Sequence, residues 1–208
     1  MGLLSHDAAV DARGVPTLDR LLQAGIRPVA LFSPEHGYQG RAGAGELVPD
    51  SLHPEHPIPI HSLYGPTRIP RAEWLATLDL LLIDLQDLGV RCYTYLSTLC
   101  ETLTAAAGTS LRVVVADRPV PLPNRCDGPM LDPAYESFVA RVRAPMVTGM
   151  TPGEAARWFV RSNRLDVDLE VADGQSRAVP TAITQAGRRR FAVVDARGDR
   201  VYVYQVSD

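Results

Sequence analysis

The chain contains no lysine: its 21 basic residues are all arginine, which reads as base-composition bias rather than as chemistry. Against 24 aspartates and glutamates the net charge is −3, so the excess of positive charge that a general nucleic-acid binder needs to neutralise phosphates is missing. No apolar run approaches the ~20 residues of a membrane-crossing helix. Cysteine is scarce and odd in number. Cys92, Cys100 and Cys126 have neither the spacing of a zinc site nor that of a disulfide framework, and reduced structural thiols are expected. The opening residues Met1-Gly-Leu-Leu-Ser-His lack the charged region and long apolar core of a signal peptide, which makes a cytoplasmic location the expectation. No Gly-x-Gly-x-x-Gly turn follows the first apolar segment. The run Gly40-Arg-Ala-Gly-Ala-Gly45 falls in a loop, so a nucleotide or phosphosugar binder is the weaker reading.

What is present is a globular composition, 46% hydrophobic over 208 residues, enough for one well-buried domain and a small appendage. The chain is organised around Val29-Ala-Leu-Phe-Ser-Pro-Glu-His-Gly37, an apolar run that stops at a carboxylate, an imidazole and a glycine. Such a run reads as a buried parallel strand ended by a turn. Leu78 to Asp87 repeats the pattern and ends in Asp84, Gln86 and Asp87; Leu111 to Asp117 repeats it again and ends in Asp117 and Arg118. A strand is expected at Gly2–Ser5, an edge strand at 58–64, and a further strand at 166–171. Helices are expected at 17–25, capped by Thr17, at 71–76, at 93–107, at 135–141, and from the cap Thr151 to about Asn163. The fold class is therefore α/β, a Rossmann-like parallel sheet with flanking helices, and the turn Ala196-Arg-Gly-Asp199 between apolar runs adds a terminal β-hairpin. In open sheets of this kind ligands bind outside the carboxyl ends of the strands.

Leu31-Phe-Ser-Pro-Glu-His-Gly37, Ser62-Leu-Tyr-Gly65, Ile83-Asp-Leu-Gln-Asp-Leu-Gly-Val-Arg-Cys-Tyr-Thr-Tyr95, Asp117-Arg-Pro119, Gly128-Pro-Met-Leu-Asp132 and Gly149-Met-Thr-Pro-Gly-Glu154 occur in the order of one family. The chain resembles the DUF1343 family, whose characterised members are exo-β-N-acetylmuramidases of peptidoglycan recycling, the NamZ type. The resemblance covers residues 2–171, taken as the Rossmann-like catalytic domain; residues 172–208 form a divergent tail. It implies a glycoside hydrolase that releases terminal N-acetylmuramic acid from peptidoglycan fragments, with a sugar or muropeptide substrate and no cofactor. Family members are usually about twice as long, so a shortened sugar-binding remnant is the competing expectation.

Glycosidic cleavage needs a proton donor and a group that attacks or stabilises the anomeric carbon. Glu35 is the first candidate for the acid, His36 for substrate contact or orientation, and Asp84 or Asp87 for the second carboxylate. A separation of ~5 Å from Glu35 would suit retention and ~6.5–9.5 Å inversion, while the 2-acetamido group of the sugar offers a third route. N-acetylmuramic acid carries a lactyl carboxylate, for which Arg68, Arg91 and Arg118 are the candidate partners. Tyr64 and Tyr93 could stack on sugar faces, whereas Tyr95 fits a core position better. Gln86 and Asp117, at strand ends, complete the candidate substrate-binding set. His53, His56 and His61 with Asp84 can be imagined as metal ligands, but they lack a recognised spacing, and no metal is expected.

Overall fold

A computed structural model describes residues 1–173 and three later strands, with side chains described through Ala172. In chain order the elements are β1 (Gly2–Ser5), α1 (Thr17–Gln23), β2 (Ala30–Ser33), β3 (Ser51–Leu52), β4 (Pro59–Ser62), α2 (Ala72–Leu75), β5 (Leu80–Asp84), α3 (Thr94–Ala106), β6 (Arg112–Asp117), β7 (Asp127–Met130), a 3₁₀ turn (Pro133–Tyr135), β8 (Pro145–Val147), α4 (Pro152–Asn163) and β9 (Asp168–Asp173). β10 (Pro180–Gln185), β11 (Arg190–Asp195) and β12 (Val201–Gln205) follow.

The main sheet runs β3-β4-β2-β1-β5-β6-β9. All neighbours pair parallel except β3, which lies antiparallel outside β4. Numbering only the parallel strands, the spatial order is 3-2-1-4-5-6. The chain therefore winds outward in both directions from β1, and the crevice of such a sheet opens where the winding reverses, at the carboxyl ends of β1 and β5. Register places Leu4 between Phe32 and Ile83, and Ser5 beside Asp84, so the residues after Ser5 enter that crevice.

Alternation along the strands makes two cores, because successive side chains face opposite sides. Leu4, Phe32, Leu81, Ile83, Val113 and Val115 join Leu96, Leu99 and Leu103 of α3 and Ala155, Ala156 and Phe159 of α4. Leu3, Leu31 and Ile60 turn the other way onto Leu18 of α1. Burying one such leucine or phenylalanine contributes roughly 1.5–3 kcal/mol, which ties the strands, and hence their ends, into one frame.

Four details depart from expectation. Thr17 does not cap α1: the N-cap is Pro16, and the Thr17 hydroxyl bonds the carbonyl of Ala9 and the carboxylate of Asp84. A long-range partner has displaced the local one. The strand at Pro59 is not the edge, since β3 covers it. The 135–141 segment carries only the 3₁₀ turn, because Pro133 starts it and Ser137 then bridges Ala140. Finally, the terminal pair belongs to a three-stranded sheet, β10-β11-β12, with β11 antiparallel to β12; the expected turn at 196–199 lies outside the described residues.

Candidate functional site

Glu35 follows β2 through Ser33-Pro34 and is buried, 7% exposed. Its carboxylate accepts the Thr94 hydroxyl at 2.6 Å and the Gly45 N–H at 2.8 Å, and its backbone carbonyl faces the Tyr95 hydroxyl at 3.4 Å. No cation pairs with it among the ion pairs of the described residues. His36 stands at φ +71°, a left-handed conformation that is uncommon for a residue with a Cβ. Its Nδ1 donates to the Ala42 carbonyl at 2.9 Å, while the Ala42 N–H returns to the His36 carbonyl at 3.1 Å. His36 thus folds the 37–45 loop back over Glu35 and delivers the Gly45 N–H.

The hydroxyl of Tyr64, in the loop after β4, lies under the influence of Glu35 and Arg68 together. Burial and the Glu35 charge push its pKa up, and the Arg68 guanidinium opposes them. The Arg68 guanidinium sits 4.7 Å from the Tyr64 ring centre and 4.8 Å from that of Phe138. Tyr93 and Tyr95 pack with ring centres 4.6 Å apart. Burial raises the pKa of both phenols, Tyr93 with a contribution from the Asp87 charge and Tyr95 with one from Tyr93. Tyr95 is 3% exposed and belongs to the core, although its hydroxyl reaches the site.

The remaining candidates are engaged elsewhere. Asp84 is 3% exposed and forked by Arg118, Nε on one oxygen and Nη2 on the other at 2.9 Å, with the Thr17 hydroxyl on the second oxygen. Arg118 also donates to the Val10 carbonyl at 2.8 Å. The pair joins β5, β6 and the β1–α1 loop, so the structure places Asp84 and Arg118 against each other. Asp117 accepts the Thr151 hydroxyl at 2.9 Å and the Gly153 N–H at 2.8 Å and so holds the start of α4. The backbone there comes so close that a Cβ on Gly153 would meet the Asp117 carboxyl carbon at 2.7 Å. Arg91, 7% exposed, donates to the carbonyls of Ala144 and Pro129 and secures the β7–β8 hairpin. Gln86 donates to the carbonyls of Asp87 and Pro119. Asp87 is 6% exposed, accepts the Gly89 N–H at 2.7 Å through Oδ1, and has its pKa pushed up to about 7 by burial, with backbone N–H groups of Gly89, Leu88 and Leu96 resisting. Arg91, Gln86, Asp87 and Asp117 thus each make contacts within the chain, and Asp87 Oδ2 is a buried oxygen without a hydrogen-bond partner.

The imagined metal ligands are not gathered. His61 stacks on Trp74 at 4.2 Å, His53 on His56 at 5.1 Å, and among the described residues no group of three or more metal-binding side chains is arranged to hold an ion.

Sequence reasoning missed Thr94, Gly45, Phe138 and, at the switch point itself, His6. The Nε2 of His6 accepts the Gln86 N–H at 3.0 Å, and its ring meets Tyr95 edge-on at 4.6 Å. Burial lowers its pKa, partly offset by Asp7. A neutral ring that accepts at Nε2 carries its proton on Nδ1, 3.7 Å from the Asp7 carboxylate. His6 therefore ties the ends of β1 and β5 together. It also lines a pocket of about 300 Å³ with Asp7, Thr17, Tyr38, Arg41 and His53. The available signal was its position one residue past an apolar strand.

The sequence profile described as "Exo-beta-N-acetylmuramidase NamZ, N-terminal" matches residues 1–182. The chain belongs to the NamZ family. It is 39% identical over 173 residues to the peptidoglycan beta-N-acetylmuramidase NamZ of Bacillus subtilis (strain 168), a match covering 82% of this chain and 42% of that protein. Two crystal structures of DUF1343 family proteins from Bacteroides fragilis NCTC 9343 superpose with TM-scores of 0.73 and 0.69 at 33% and 31% identity, each over 82% of this chain and 44% and 45% of theirs. The chain spans less than half the length of these relatives. Their shared sheet is the α/β architecture described above.

Proposed function

We propose that this NamZ-family domain removes terminal N-acetylmuramic acid from peptidoglycan fragments, with Glu35 as the proton donor to the glycosidic oxygen. The observation that carries the reading is the contrast among the strand-end acids. Glu35 is held by a hydroxyl and a backbone N–H and forms no ion pair among the described residues, whereas Asp84 is locked by a guanidinium. A general acid has to deliver its proton in the transition state, and a carboxyl fixed in an arginine fork already has both oxygens committed to a partner. His36 and Thr94 act by position, since they set the direction of the Glu35 carboxyl. Tyr93, half-buried, offers a ring for the sugar, whereas the Tyr64 ring is buried beneath Arg68. The name of the Bacillus relative supports the substrate class, and the position of the site at the carboxyl end of the sheet supports its location.

A second reading, a sugar-binding domain without turnover, is favoured by the locking of Asp84, because cleavage needs a group acting opposite the acid. Incubation with the disaccharide of N-acetylmuramic acid β-linked to N-acetylglucosamine, followed by mass spectrometry, separates the two. Free N-acetylmuramic acid is the expected product. Intact disaccharide in the presence of folded protein that binds it would replace hydrolysis with binding.

A further inference from the structure

We infer that Arg68 is the specificity residue of this site: its guanidinium receives the carboxylate carried by the sugar and so separates a lactyl-bearing N-acetylhexosamine from the same ring without that acid. The inference rests on the proposed sugar site and adds to it the group that chooses among sugars.

Three arginines occupy the motif loops, and the structure treats them differently. Arg91 is buried and spent on the carbonyls of Ala144 and Pro129; Arg118 is spent on Asp84 and Val10. Arg68 is exposed and has no carboxylate partner among the ion pairs of the described residues. Yet it is held in place. The Thr67 hydroxyl donates to the Ile69 carbonyl at 2.8 Å and accepts the Ile69 N–H at 3.1 Å, which fixes the backbone on both sides of Arg68. The rings of Tyr64 and Phe138, tilted 57° with centres 5.7 Å apart, form a shallow wedge, and the guanidinium rests over it at nearly equal distance from each. Ring contacts consume none of the five N–H donors of a guanidinium, so donors beyond the one facing the Tyr64 hydroxyl remain for an acceptor. A guanidinium already bedded on aromatic rings has lost much of its rotamer freedom before a ligand arrives, which favours a tight fork.

Placement agrees with the chemistry of the sugar. One phenol hydroxyl, that of Tyr64, feels both the Glu35 carboxyl and the Arg68 guanidinium, so acid and cation share a neighbour. In a pyranose C3 is two ring atoms from C1, so the lactyl ether leaves the ring next to the acetamido carbon and not far from the reacting bond. With C1 at Glu35 the lactyl carboxylate is therefore a near neighbour of the reacting bond, and a cation that shares the Tyr64 hydroxyl with Glu35 is the group placed to receive it.

The test is calorimetric titration of the wild-type chain with free N-acetylmuramic acid, its uncharged methyl ester and N-acetylglucosamine. The acid is expected to bind about 10- to 100-fold tighter than the ester, the usual scale for a hydrogen bond to a charged group. In Arg68→Met the ratio should fall to near one. Arg68→Lys should keep an intermediate ratio, because it retains the charge without the fork, and Phe138→Ala should lower the ratio by loosening the wedge. Equal affinity for acid and ester in the wild type, or an unchanged ratio in a folded Arg68→Met, would overturn the inference while leaving the sugar site standing. Failure of all three sugars to bind would overturn both.

Discussion

The carboxylates at the ends of β2 and β5 look alike in sequence, each an acid closing an apolar strand, and the structure gives them opposite surroundings. Glu35, beyond β2, meets uncharged donors, Thr94 and Gly45. Asp84, at the end of β5, meets a guanidinium and a second hydroxyl. The difference teaches that a strand end marks the ligand edge, whereas the partner of the acid decides its work. In the reading proposed above, the salt-bridged carboxylate holds loops together and the one bonded to neutral groups is the proton donor. Asp117 belongs with Asp84, although its partners are the cap residues of α4 instead of a cation.

The largest expected effect on the β5 side comes from Arg118→Met, which would leave the buried Asp84 carboxylate without its fork. Removal of one member of a buried pair typically costs about 3–5 kcal/mol, and urea unfolding should read a loss of that size. The double variant Arg118→Met/Asp84→Asn should recover part of it. A loss below about 1 kcal/mol would mean that Asp84 is not the anchor described.

Next comes Asp87. Its carboxyl is raised from 3.8 to about 7 by burial, so the folded chain binds a proton there that the unfolded chain has released. The stability contributed is complete below about pH 4 and is lost as pH rises through about 7, up to about 4 kcal/mol in all. Denaturation midpoints of wild type should therefore fall between pH 5 and 7.5 more steeply than those of Asp87→Asn, in which this linkage is absent. Parallel curves for the two proteins would remove Asp87 from the account.

Asp117→Ala should have the smallest effect, about 0.5–2 kcal/mol, the usual range for losing a helix cap interaction. It should loosen the start of α4 while the Thr151–Glu154 capping box persists. Hydrogen exchange at Gly153 and Glu154 would report it. Full retention of protection there would contradict the assignment.

The sheet was legible because its strands are short apolar runs closed by polar residues, and a run such as Val113–Val115 can hardly be anything else in a chain that alternates with helices. α4 was legible for the same local reason: its cap, its proline and its glutamate all lie within four residues. The site was legible as a rim but not as a set of roles. Asp84 and Arg118 are 34 residues apart, Glu35 and Thr94 59 apart, and no local pattern announces such a pair. Thr94 looks like an ordinary first-turn residue of α3, and Thr17 like a cap. Phe138 lies in a segment whose apolar spacing suggested a helix that Pro133 and the Ser137 bridge prevent. Tertiary partners, arriving from across the fold, decided each of these.

The most direct measurement sets Glu35→Gln beside Asp84→Asn, with muramic acid release from the β-linked disaccharide and thermal unfolding recorded for both. Glu35→Gln should lose at least about 100-fold in kcat, the lower bound for removing a general acid, and keep its unfolding temperature. Asp84→Asn should unfold earlier while its surviving folded fraction still turns over substrate. Full activity in folded Glu35→Gln, with turnover abolished in folded Asp84→Asn, would reverse the roles assigned to the two strand ends.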